Sequence, residues 1–179
     1  MAAAVELVPM FCTKCQSPIQ AHPDEVAWVC PQCQQGLLLS DALGLEPVVV
    51  HFSAALTPSK VGFPFWVAVG QVNMLDRITF RGDERSAMLG FWQSPHQFFV
   101  PAFTLPLEQL IESGSRLLKQ PPQLQSGSPT AFQSATLRPS DMQPVAEFIV
   151  LAIEAERKDQ LRTLNFKLNL ADPELWILP

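Results

Sequence analysis

The chain has 179 residues, with 12 basic and 17 acidic side chains and a formal net charge of −5. Hydrophobic residues make up 47% and charged residues 16%, which excludes a disordered charged chain, because that class lacks the apolar content to build a core. The acidic balance argues against a protein that coats nucleic acid or anionic membrane, and the length fits one domain, or one small module plus one domain.

Residues 1–10 (MAAAVELVPM) contain Glu6 and no Lys or Arg. A secretory leader has a basic start and an apolar run of about 7–15 residues, so none is expected. The longest clean apolar run, 148–153, is far short of the roughly 20 residues that span a bilayer, and no transmembrane segment is expected. The expectation is a soluble, cytoplasmic protein. In a reducing compartment, four cysteines arranged as two CxxC pairs favour a metal over disulfides.

Those cysteines are Cys12, Cys15, Cys30 and Cys33, with fourteen residues between the pairs. Each CxxC turns the chain so that both sulfurs aim at one point, and two such turns supply four thiolates in a tetrahedron, which suits zinc. The spacer, 16–29, is long enough for two short strands and a bend around Pro18, His22, Pro23 and Asp24. Phe11, Val26 and Trp28 are placed to cover the site with apolar surface.

Residues 8–39, through FCTKC and WVCPQC, resemble the zinc-ribbon family, and Pro31 inside the second CxxC is common in its knuckles. The resemblance implies one structural zinc held by the four cysteines. Many ribbons carry Gly after the second Cys of a knuckle, where Gln16 and Gln34 stand here; Gly relieves strain at such a turn. A thioredoxin-like redox motif needs one pair within a βαβ unit. A rubredoxin-type iron site uses the same ligands and stays open. Four thiolates close the coordination shell, whereas catalytic zinc keeps a position open. Ribbons often bind nucleic acid, but residues 1–40 contain Lys14 as their one basic residue, against Glu6, Asp24 and Glu25. A phosphate-binding face needs several Lys or Arg, so direct nucleic-acid binding is not expected and a protein partner is.

Beyond the ribbon, Ser40 or Asp41 caps a short helical turn that Gly44 and Pro47 break, and the domain boundary falls here: 1–40 a zinc ribbon, 47–179 an α+β domain. Residues 47–52 (PVVVHF) read as a strand, and 63–73 as another with Gly70 marking a bulge or close approach. Residues 77–81 pair with it as a hairpin. Residues 82–90 have no assignment; 91–92 and 97–103 read as further strand. Leu107, Leu110, Ile111, Leu117 and Leu118 sit at helical spacing, with Thr104 as N-cap and Gly114 as a weak point. Residues 119–134, rich in Pro, Gln and Ser, form a loop or flexible connection, and 135–137 a short strand. A helix spans about 141–158, opened by a Ser140–Gln143 capping box, with Met142, Val145, Phe148, Ile149, Ala152 and Ile153 on its apolar face and Glu154 and Arg157 on its polar one. Leu164, Phe166, Leu168 and Leu170 alternate as a half-buried strand, and the apolar tail 175–179 packs on the domain or on a partner. The fold class is α+β: an N-terminal zinc ribbon followed by a largely antiparallel sheet with two packed helices.

The chain contains no phosphate-binding glycine loop, no HExxH and no GxSxG. His51 and His96 lie beside apolar strand residues, where structural histidines are the commoner case. Arg77, Arg81 and Arg85 interleave with acids and read as a solvated face. The consecutive aromatics Phe65-Trp66, Phe91-Trp92 and Phe98-Phe99 demand cover on both sheet faces, from this chain or from a partner. Trp66, Trp92, Phe98, Phe99 and Trp176 are the candidate interface residues. The sequence thus favours a non-enzymatic zinc-binding adaptor or complex subunit, with no catalytic residues assigned. The alternatives are a transcription- or translation-associated zinc-ribbon factor, and an enzyme using His51 or His96.

Overall fold

The computed structural model describes residues 8–40 and 43–179. Asp41, weighed above as a cap, and residues 1–7 of the leader reading lie outside them. The fold is α+β, with two sheets and three α-helices.

The first sheet is an antiparallel meander of β1 (Ala27–Val29), β2 (Gly36–Ser40) and β3 (Gly44–Val48). Where a helical turn was expected, 37–40 and 44–47 are strand and pair antiparallel, with Gly44 at a positive φ of 74°, where L-residues with a side chain are strained. The reason is two-sided burial. Leu37, Leu39 and Leu45 face a small core beside the cysteines, while Leu38 faces the main core. An apolar run covered on both faces is a strand pattern, not a helix signal. Pro47 fits because β3 is an edge strand.

The second sheet is built around β5 (Phe63–Arg81), one strand of 19 residues. The expected hairpin at 77–81 is absent: those residues continue β5. The first half of β5 lies between β6 (His96–Pro101) and β8 (Glu174–Leu178), both antiparallel to it. The second half pairs with β7 (Gln160–Leu170), in the register Gly70↔Leu170 to Arg81↔Gln160. β7 and β8 thus follow one edge of β5 in succession, and β4 (Val50–Phe52) adds parallel to β8. Gly70 pairs with both His96 and Leu170, and a Cβ there meets Phe98 Cε2 at 2.8 Å and Leu170 Cδ2 at 2.6 Å, so it is the close approach the sequence suggested. The apolar tail is β8, with Leu175 and Ile177 fully buried.

The sheet faces have different cover. Trp66, Ala68, Val72, Phe98, Val100, Leu168, Leu175 and Ile177 share the main core with helices α1 (Arg85–Trp92), α2 (Leu107–Lys119) and α3 (Met142–Ala155). Phe65, Val67, Phe99, Trp176 and Leu178 face a smaller core closed by Phe103, Leu105, Leu117 and Leu124. Phe91 and Trp92 therefore end α1 rather than form a strand. Thr104 bonds Thr136 Oγ1 at 2.9 Å instead of capping α2, whose N-cap is Pro106. In place of a Ser140–Gln143 box, the Asp141 carboxylate accepts from the Arg138 N–H at 2.8 Å. Gly114 is where α2 meets α3 and β6: a Cβ there lies 2.2 Å from Ile149 Cδ1 and 3.0 Å from the Phe99 carbonyl oxygen. Gly114→Ala therefore lowers stability by about 1–3 kcal/mol through overpacking, although alanine favours a helix by ~1 kcal/mol; a urea titration checks it, and a gain in stability contradicts this packing.

Arg77 corrects the reading of a solvated face. The bulge between Met74 and Asp76 turns Arg77 inward, where it is 7% exposed. Its Nε donates to Glu154 Oε2 at 3.0 Å and its Nη2 to Asp159 Oδ1 at 2.7 Å, while Nη1 bonds Asp159 Oδ2. Glu154, fully buried, also accepts from Trp92 Nε1 at 2.8 Å and Arg157 Nε at 2.7 Å. The cluster ties the outer half of β5 to the C-terminal end of α3 and to α1. Hydrogen bonds from Arg77 outweigh burial and hold the Asp159 carboxyl down from 3.8 to about 2. A depressed folded-state value stabilises fully above the unfolded value, and that stability is lost as pH falls from near 4 through about 2. Arg77→Met leaves two buried carboxylates short of a partner, so stability at pH 7 drops by about 3–5 kcal/mol and the difference from the parent shrinks at pH 3. Equal unfolding midpoints for parent and variant at pH 7 contradict the clamp.

Candidate metal centre

The first knuckle is a turn closed by the Phe11↔Pro18 bridge and the Ile19 N–H to Met10 carbonyl bond, 2.9 Å. The second sits at the tip of the β1–β2 hairpin, where Val29 pairs with Gly36. The two are built alike. In the first, the Cys12 N–H donates to the Ser17 carbonyl at 2.9 Å and the Cys12 carbonyl accepts from the Gln16 N–H at 2.9 Å. In the second, the Cys30 N–H donates to the Gln35 carbonyl at 2.8 Å and the Cys30 carbonyl accepts from the Gln34 N–H at 2.9 Å. Closing that turn forces Gln16 and Gln34 to φ of 60° and 61°.

These turns bring all four sulfurs within 4.8 Å of one another. Cys12 and Cys33 Sγ are 3.5 Å apart, as are those of Cys15 and Cys30. Four sulfurs at the zinc–thiolate distance of about 2.3 Å stand roughly 3.8 Å from each other, so a tetrahedral ion fits with little adjustment. Cys12 and Cys30 are fully buried, and Ile19, Trp28 and Leu37 pack against them. Of the three residues expected to cover the site, Trp28 packs on the cysteines, while Val26 is buried outside this cluster and Phe11 stays half exposed.

The electrostatics are those of a cation site. The Ser17 hydroxyl, 3.3 Å from Cys15 Sγ, and the Ser17 N–H bring the Cys15 thiol down to about 6. The Cys12 thiol is lowered by the N–H of Cys15, and also by that of Lys14 at 3.4 Å, against burial. The Gln35 N–H favours the Cys33 thiolate, but burial and the three neighbouring sulfurs outweigh it and push Cys33 up to about 12. Four negative charges do not gather at one point unaided, and a divalent ion there displaces the last protons.

The cysteine module is fastened to the stretch of chain around Ser134 through Glu25, which counts in the sequence only as one of the module's acidic residues. Its Oε2 accepts from Trp28 Nε1 at 2.8 Å and the His22 N–H at 2.9 Å, and its Oε1 from the Ser134 hydroxyl. A Glu in a bend carries no sequence signal for this, because its partner lies 109 residues away.

The five aromatics expected at an interface are inside the chain. Trp66, Phe98 and Phe99 are fully buried, Trp92 is 3% exposed and Trp176 7%. Trp66 Nε1 donates to the Leu137 carbonyl at 2.7 Å. Around Trp66, Phe98, Phe99 and Trp176 both faces of the sheet are covered by the chain's own residues, the helices on one side and the segment around Phe103 and Leu124 on the other. His96 Nε2 lies 2.7 Å from the Phe91 carbonyl oxygen, and its ring stacks on Phe91. His51 stacks on Trp176 at 4.6 Å, with Nε2 3.5 Å from Glu174 Oε2. No helix among the described residues is long and apolar enough to cross a membrane. The chain matches no protein-family model, no curated protein and no solved structure.

Left-handed backbone costs a residue with a side chain about 1–2 kcal/mol, and glycine returns part of this as chain entropy. Gln16→Gly and Gln34→Gly should each stabilise the metal-loaded protein by about 0.5–1 kcal/mol, read as a higher thermal midpoint. A lower midpoint for both contradicts the knuckle geometry.

Proposed function

We propose that the chain is a non-enzymatic zinc-ribbon protein, holding one structural zinc on Cys12, Cys15, Cys30 and Cys33 and acting as an adaptor or subunit through protein contacts. The observation that carries this reading is the cluster of four sulfurs within 4.8 Å of one another. Four thiolates fill a tetrahedral shell, so the ion has no position for substrate or reactive water. Its role is to replace the core that a module of this size lacks: zinc binding is worth about 10–16 kcal/mol in small finger peptides.

Two surface features support protein contacts over nucleic acid. Residues 8–40 expose Lys14 as their one basic side chain, too few for a phosphate track. Away from the ribbon, Leu75 and Phe80 are each 69% exposed, and Leu89 on α1 lines the same groove as Leu75. Apolar side chains left on a surface whose core is already filled favour a macromolecular contact.

Native mass spectrometry of the full chain tests the reading. One zinc per chain is expected, and Cys30→Ser releases it and loosens residues 8–40. Unchanged zinc stoichiometry in Cys30→Ser contradicts the four-thiolate site, and salt-dependent binding of DNA or RNA favours the transcription- or translation-factor alternative.

A further inference from the structure

The connection between α2 and α3 is a strap fastened at successive points. The Gly127 N–H donates to the Phe52 carbonyl at 2.6 Å and the Ala54 N–H to the Gln125 carbonyl at 2.7 Å. Phe132 bridges Gly62, with the Gly62 N–H on the Ala131 carbonyl at 2.9 Å and the Gln133 N–H on the Gly62 carbonyl at 2.8 Å. The N–H groups of Thr136 and Leu137 both donate to the Ala102 carbonyl, at 2.7 and 3.0 Å. Between these ties the strap grips the ribbon: the Val26 N–H donates to the Ala135 carbonyl at 2.8 Å, Ala27 bridges Ala135, and the Ser134 hydroxyl donates to the Glu25 carboxylate. Ribbon and strap together wall a cavity of about 510 Å³ lined by Ile19, Trp28, Pro31, Phe132 and Ser134.

The residues that grip the strap belong to the metal module. Trp28 packs with Cys12, Cys30 and Leu37 in the small core and also donates to Glu25. Val26 leads directly into β1, which starts at Ala27, and Cys30 follows its last residue, Val29. Five fully packed residues, two of them metal ligands, are too few to hold this module together alone.

We infer that the metal and the strap are coupled: loading the four cysteines fixes Glu25, Val26 and Ala27, which hold residues 131–135 in place, and removing the ion frees that stretch while the flanking ties remain. This rests on the zinc reading above. The coupling is reciprocal by linkage, so loosening the strap must weaken the metal by the same factor. The burial of Glu25 opposes its charge, but the Ser134 hydroxyl and the N–H groups of His22 and Trp28 outweigh it, which keeps the carboxylate a good acceptor.

The test uses the full chain and Zn²⁺ alone. Amide exchange is compared with and without zinc, and zinc affinity is measured by chelator competition for the parent, Ser134→Ala and Ser134→Thr. Metal removal should accelerate exchange at Gly62 and Gln133 and leave Gly127 and Leu137 protected. Ser134→Ala should weaken zinc about 5-fold or more, and Ser134→Thr, which keeps the hydroxyl, should restore most of it. A parent that takes up no zinc overturns the zinc reading and the coupling with it. A parent that binds one zinc, with unchanged exchange at Gly62 and Gln133, or with unchanged affinity in Ser134→Ala, overturns the coupling alone. A general loss of protection that includes Gly127 and Leu137 also overturns it.

Discussion

The packing of residues 8–40 depends on bringing four sulfurs to one point and keeping them there. The backbone does the first part: in each knuckle the first cysteine's carbonyl takes the N–H four residues on, and its own N–H reaches the carbonyl five residues on. The price is left-handed backbone at Gln16 and Gln34. The sulfurs oppose full ionisation: burial and the three neighbouring sulfurs push Cys33 up, against the Gln35 N–H that favours its thiolate. A divalent ion reverses that balance, since the charge repulsion becomes coordination. The same geometry argues for a structural ion, because the shell has no vacancy at which chemistry proceeds.

The larger body solves a different problem. A strand of 19 residues cannot be covered by one set of neighbours, so its two halves use different partners, with the change made at Gly70. The inner half is covered on both faces over Phe65, Trp66, Val67 and Ala68. The outer half is a two-stranded arm with solvent on one face, secured by the Arg77, Glu154 and Asp159 cluster. Each of the three Arg77 nitrogens has a carboxylate acceptor, which is the condition for keeping charge in a core. The strap between α2 and α3 meets the cysteine module at Ser134 and Ala135, and Ala27, Val29 and Leu38 of that module also join the main core.

Much of this was legible beforehand where the physics is local. The CxxC spacing pointed to the cluster of four cysteines, since four thiols at fixed offsets admit few other geometries. The alternation at 164–170 gave β7, and the spacing of Met142, Val145, Ile149 and Ile153 gave α3. What escaped was non-local. The continuity of β5 was hidden because polar Asn73 and Asp76 are exposed on the arm, and that alternation resembles the end of one strand and the start of another. Arg77 and Glu154 looked solvent-facing because each is buried by a partner 77 residues away. The aromatics read as surface anchors because burial on two faces depends on Phe103, Leu105 and Leu124, whose placement no periodicity reveals. LLLS at 37–40 carried a helix-like apolar density, yet its leucines divide between two cores.

X-ray absorption at the zinc edge, on the purified full chain, addresses the central claim most directly. The account predicts one zinc per chain with a single shell of four sulfurs at about 2.3 Å. A shell containing nitrogen or oxygen, or a chain purified with iron and no zinc, would contradict it.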